Sequence, residues 1–158
     1  MKRISLIISL VLTALSISGQ GTETLKDGFQ VYRYPNGSVS SEGMIKNGKP
    51  EGYWKTYYVT GVKRSEGKYT NFKLDSIWIF YDQAGDTTDK ISYLFDKKNG
   101  YYIKYKKDPG AGVYLWSKEL YAGGNREGTG YVFFPDGRIQ QTISYSDGKR
   151  EGLSKTLS

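Results

Sequence analysis

The sequence predicts an all-β fold: an elongated, twisted, single-layer antiparallel sheet built from tandem β-hairpin repeats. Three observations predict it. Gly28, Gly52, Ser76, Gly100, Gly128 and Gly152 follow one another at a 24-residue interval, and only the unit from Gly100 to Gly128 is longer, by four residues. A second glycine falls nine residues into the units, at Gly37, Gly61, Gly85 and Gly137, with Gly110 one residue later in the long unit. Between these marks run short segments rich in Tyr, Val, Ile, Phe and Trp, which suit a pleated surface and show no helical period. Self-similarity at a fixed interval of this size is the mark of a repeat architecture.

The N-terminal segment stands apart from the repeats. Lys2 and Arg3 precede an apolar run from Ile4 to Ile17, and Ser16, Ser18 and Gly19 form a small-residue zone suited to cleavage near Gly19 or Gln20. The run is short for a bilayer span, which needs about 20 residues. Residues 1–20 are therefore expected to be a signal peptide and residues 21–158 a repeat domain, with units beginning near 28, 52, 76, 100 and 128 and a partial unit from 152. The expected location is exported: periplasmic, envelope-associated or secreted, with no transmembrane segment after cleavage.

The first unit shows how each unit reads. Phe29 to Tyr34 form a strand, Pro35-Asn36-Gly37 a turn and Ser38 to Ile45 a second strand, with Asn47-Gly48-Lys49-Pro50-Glu51 leading into the next unit. The second strands close at Ile45, Tyr69, Tyr93, Tyr121 and Tyr145, each seven residues before the next opening residue. Because that interval is constant, the four extra residues are expected in a basic loop between about Lys104 and Tyr114. Leu153 to Leu157 are expected to add a short edge strand.

Pro35 and Pro135 lack an N–H and suit the first corner of a type I turn, with Gly37 or Gly137 in a left-handed bulge position. This favours a three-residue loop. In uninterrupted register that loop places Phe29, Val31, Ile45, Tyr53, Tyr57, Tyr69, Ile77, Ile79, Ile91, Tyr93 and Tyr121 on one apolar face. Glu42, Glu66, Lys90 and Lys118 then share the other face with Trp54, Tyr58, Trp78, Phe80 and Tyr102.

Composition narrows the function. With no cysteine and no histidine there is no thiol or imidazole nucleophile, no thiolate or imidazole zinc site and no disulfide framework. No metal, cofactor or catalytic residue is predicted. The net charge of +7 falls to about +5 on loss of Lys2 and Arg3, an excess that favours anionic partners. Lys97, Lys98, Lys104, Lys106 and Lys107 cluster within it. Nucleic acid is not an expected partner of an exported protein.

The segment Gly52-Tyr53-Trp54-Lys55-Thr56-Tyr57-Tyr58, followed by Gly61 and by Ser65-Glu66-Gly67-Lys68-Tyr69, resembles a unit of the MORN-repeat variant family. The connection Asn47-Gly48-Lys49-Pro50-Glu51-Gly52 recurs as Asp147-Gly148-Lys149-Arg150-Glu151-Gly152, while Asn71-Phe72 and Phe95-Asp96 depart from the pattern. The resemblance covers nearly all of residues 21–158. It implies a β-hairpin ribbon with a binding or scaffolding role, and many members are labelled YwqK-like antitoxins.

Three functions follow as expectations. The leading one is a non-enzymatic scaffold that binds a protein or an anionic envelope lipid or glycan. Trp54, Tyr58, Trp78, Phe80, Tyr102, Lys104, Lys106 and Lys107 are its candidate binding residues, because Trp54, Trp78 and Tyr102 repeat in register and the lysines crowd the long unit. The alternative is an antitoxin or immunity protein that neutralises a toxin. A carboxylate-based envelope glycosidase ranks third, since Glu42 and Glu66 recur at one repeat position, which suits structure better than catalysis.

Overall fold

A computed structural model describes residues 26–156, and the expected signal peptide at residues 1–20 lies outside the described residues. The chain forms β1 (Gly28–Arg33), β2 (Val39–Lys46), β3 (Lys49–Tyr57), β4 (Lys63–Thr70), β5 (Lys73–Tyr81), β6 (Thr87–Leu94), β7 (Lys97–Asp108), β8 (Gly112–Ala122), β9 (Asn125–Phe133), β10 (Ile139–Ser146) and β11 (Lys149–Thr156). All eleven lie in one open antiparallel sheet in chain order, each hydrogen-bonded to its sequence neighbours, with β1 and β11 at the edges. At about 4.8 Å per strand the ribbon is about 50 Å long. No helix among the described residues is long and apolar enough to cross a membrane.

Two kinds of turn alternate along the ribbon. Within a unit, the Tyr34 N–H donates to the Ser38 carbonyl and the Gly37 N–H to the Tyr34 carbonyl, at 2.8 and 2.9 Å, and the same pair of bonds recurs at Tyr58, Asp82 and Phe134. This is the expected three-residue loop, with Gly37 at φ +86° and Gly137 at +85°. Between units, both turn residues have positive φ: Asn47-Gly48, Asn71-Phe72, Phe95-Asp96, Gly123-Gly124 and Asp147-Gly148. These are two-residue turns of the type I′ class. The two sequences that depart from the glycine pattern take the same shape and place Phe72 at φ +66° and Phe95 at +47°.

The expected basic loop is instead strand. Lys104 to Asp108 belong to β7, where Lys106 pairs with Tyr114, Lys107 with Val113 and Asp108 with Gly112. The four extra residues therefore lengthen a hairpin by about two rungs. Its tip is closed by the Asp108 carboxylate, which accepts the Gly110 and Ala111 N–H groups at 2.8 and 3.0 Å.

The faces also differ from expectation. Near the end of each first strand the ladder skips one residue: Arg33 pairs with Val39 but Tyr32 with Ser41, leaving Ser40 unmatched. The same skip leaves out Arg64, Thr88, Trp116 and Gln140. A one-residue bulge moves every later side chain of its strand to the opposite face. Ile45, Tyr69, Ile91, Tyr93 and Tyr121 consequently share a face with Trp54, Trp78 and Tyr102, whereas Glu42, Glu66, Lys90 and Lys118 join Tyr53, Ile79 and Ile103.

A second, wider bulge explains the 24-residue glycine series. Gly43 pairs with Trp54 but Met44 with Glu51, so Gly52 and Tyr53 have no direct partners on β2. The opening residues occupy this kink in left-handed conformation: Gly52 at φ +70°, Ser76 at +59°, Gly100 at +103°, Gly128 at +68° and Gly152 at +69°. Glycine takes that conformation without the Cβ clash that penalises other residues.

The core collects on the Trp54 face, where Ile45, Trp54, Leu74, Trp78, Ile91 and Tyr93 are buried and Tyr32, Tyr69, Phe80 and Tyr102 pack against them. Trp54 lies flat over Gly43 and Trp78 over Gly67, so close that a Cβ on either glycine would come within 2.4 and 2.2 Å of indole atoms. Large side chain over absent side chain lets a single sheet bury an indole. Beyond β5 this device lapses: the next unit pairs Tyr102 with Ile91, and Gly130, at the tryptophan position of the unit after that, is the only buried residue described in β9 to β11.

Candidate functional site

The eight candidate binding residues divide into three groups. Trp54 and Trp78 are each 2% exposed, and their indole N–H groups donate to the Met44 and Lys68 carbonyls at 3.0 and 3.1 Å. Those carbonyls lie beside the wide bulges, where the ladder has lost its regular partners. The expectation that these indoles offer a binding surface is corrected: they are the core, because the narrow bulge turned the second strands' apolar residues toward them. Phe80 packs 6.4 Å from Trp78. Tyr58 ties neighbouring units together, its hydroxyl donating to the Tyr81 carbonyl at 2.8 Å, as Tyr34 does to Tyr57 at 2.7 Å one unit earlier.

Lys107 forms a second group by itself. Alternation along β7 points it away from Lys104 and Lys106, and it pairs with Asp86 at 2.6 Å. The hydrogen bond and charge of Asp86 hold its ammonium above the usual lysine range.

Tyr102, Lys104 and Lys106 are brought together on the core face of β7, and the fold adds Lys98, Trp116 and Tyr121. Lys98 Nζ lies 4.0 Å from the Tyr102 ring centre and 4.8 Å from that of Tyr121. Lys104 Nζ lies 5.1 Å from Tyr102 and 6.0 Å from Trp116, and Lys106 Nζ 3.6 Å from Trp116. Such contacts hold an ammonium over the negative face of a ring while leaving its outer side to solvent. Among the described residues Lys98, Lys104 and Lys106 form no ion pair, whereas Arg126 is bound to Glu119 at 3.2 Å. Asp89, opposite Lys104 in the ladder, accepts the Tyr102 hydroxyl at 2.8 Å. Four cations thus face two carboxylates.

Trp116 escaped the sequence reading, although a signal was present. The narrow-bulge positions are Ser40, Arg64, Thr88, Trp116 and Gln140, and Trp116 is the one aromatic among them. A bulge re-aims its extra side chain. Here it is re-aimed toward the lysines of β7.

Glu42 and Glu66 lie on the opposite face. Tyr57 donates to Glu42 at 2.7 Å, and Lys55 lies 3.5 Å away. Glu66 accepts from Tyr81, from Tyr53 at 2.8 Å and from Lys63 at 3.0 Å. Burial by itself would raise the Glu66 carboxyl, but these bonds outweigh it and hold the group below its ordinary value. Burial, and then the carboxylate partners, push Tyr53, Tyr57 and Tyr81 up to about 12.

A scan of the chain against protein-family models finds no match, and a search of curated proteins finds none that matches either.

Proposed function

We propose that this chain is an exported, non-enzymatic MORN-like repeat scaffold that binds an anionic envelope component, or a protein presenting one, through the lysine and aromatic surface of β7 and β8. The observation that carries the reading is the set of three ammonium groups, Lys98, Lys104 and Lys106, held over aromatic rings without ion-pair partners among the described residues. Ring contacts fix their positions before a ligand arrives, which reduces the ordering cost of binding. The repeat pattern and the open meander support the scaffold reading, and the basic n-region with its apolar run supports export.

The carboxylates favour a structural role over glycoside cleavage. A general acid needs a raised pKa, and Glu66 is held in the opposite direction by three donors.

The test is binding of the chain to dextran sulfate, measured calorimetrically across a salt series. Replacing Lys104 and Lys106 together with methionine should weaken binding by about tenfold and flatten its salt dependence. Unchanged affinity in that variant would refute the assignment of this surface.

A further inference from the structure

The core face of the sheet holds a polar demand that the aromatic surface by itself does not meet. Two buried hydroxyls, those of Tyr32 and Tyr93, have no hydrogen-bond partner among the described residues. Tyr32 lies opposite Ser41, with no cation facing it in the ladder. Tyr93 differs, because its direct cross-strand partner on the same face is Lys98. Side chains so paired have Cβ atoms about 5 Å apart.

Tyr93 is 5% exposed, while Lys98 is half-buried and forms the solvent side of the pair. Glu119 is engaged by Arg126 and Asp89 by the Tyr102 hydroxyl, so neither nearby carboxylate closes on Lys98 as an ion pair. Lys104 is the second uncompensated cation here, its ammonium sharing the Tyr102 ring with that of Lys98. Trp54 and Trp78 fill the equivalent position, which the smaller Tyr102 occupies in this unit.

We propose that Tyr93, Lys98 and Lys104 form a binding site for a phosphate-class oxyanion, a phosphate or sulfate group borne by the anionic partner. The Tyr93 hydroxyl donates to one oxygen, and the two ammonium groups supply charge and further donors, which suits a tetrahedral anion with several acceptor oxygens. The inference rests on the basic-surface reading above and locates the point at which one anionic group is gripped. Burial first, and Lys104 and Arg126 after it, hold Lys98 below the usual lysine range, against the opposing pull of Glu119 and Asp89. A bound oxyanion would relieve both effects.

The experiment titrates inorganic phosphate into the full chain at constant ionic strength, with chloride as reference. Side-chain NMR signals of Tyr93, Lys98 and Lys104 and the melting temperature are followed. Phosphate should shift these signals saturably and raise the melting temperature, and Tyr93→Phe and Lys98→Met should each weaken it about tenfold, with Lys106→Met changing it less than about twofold. Tyr93→Phe removes only an unpartnered hydroxyl, so its phosphate-free fold should match the native one. Phosphate acting no differently from chloride, or binding Tyr93→Phe as well as the native chain, overturns the site.

A poly(glycerol phosphate) that binds more tightly per phosphate than the free ion makes a polymer the source of the group, and equal affinity makes it the free ion. Dextran sulfate binding that needs Lys106 while phosphate has no specific effect leaves the surface reading standing and removes this site. Failure of both ligands removes both.

Discussion

Gly43 and Gly67 matter for what they lack. Each is the floor beneath an indole, and alanine at Gly67 would place its Cβ 2.2 Å from Trp78. Gly67→Ala should therefore destabilise the chain by about 1–3 kcal/mol in denaturant unfolding, the range for forced overpacking, and Trp78→Ala by about 3–5 kcal/mol through the cavity it opens. Ser76 presents the opposite case. It holds φ +59° where other units place glycine, so Ser76→Gly should raise stability by about 0.5 kcal/mol once the extra chain entropy is subtracted. A loss of stability in Ser76→Gly would show that the serine side chain contributes more than its strain costs. These positions were partly legible: the sequence displays glycine at 43 and 67, but not that a tryptophan on the next strand covers each one.

Hydrogen bonds between successive units join the strands at both ends of the hairpins. At the three-residue loops Tyr34 and Tyr58 reach the next unit's strand end, and at the type I′ turns the Gly124 N–H donates to the Lys98 carbonyl and the Gly148 N–H to the Arg126 carbonyl, both at 2.9 Å. On the strands, tyrosine titration links stability to alkaline pH. Burial, the largest cause, pushes Tyr53, Tyr57, Tyr69, Tyr81 and Tyr93 up to about 12. A raised folded-state value favours the protonated folded form, so this stability is fully present below about pH 10, where unfolded tyrosine ionises, and is lost as pH rises toward 12. Guanidinium midpoints should match at pH 8 and 9.5 and fall clearly by pH 11.5; an unchanged midpoint at pH 11.5 would contradict the raised values of these phenols. Glu66 acts in the acid range with the other sign. Its lowered value contributes stability present above about pH 4.5 and lost as pH falls through the folded-state value, and Glu66→Gln should reduce that acid dependence.

The molecule as a whole is unevenly stabilised. Buried indoles and aliphatic side chains lie in β2 to β6, while β9 and β10 keep the ladder with little beneath it. In a linear stack each unit contacts mainly its neighbours, so the thin end should open independently. Hydrogen exchange should show amides of β9 and β10 exchanging well before those of β3 to β6, whereas uniform protection would indicate one cooperative unit. The sequence by itself determined the hairpin, its period, the three-residue loops and the order of strands, because glycine and proline restrict φ locally and adjacent hairpins pair with their neighbours. Only the tertiary structure decided which face is core and which lysines share a surface. Those outcomes depend on one unmatched residue per strand, at Ser40, Arg64, Thr88, Trp116 and Gln140, and a bulge is set by cross-strand packing rather than by any local preference of the residue that forms it.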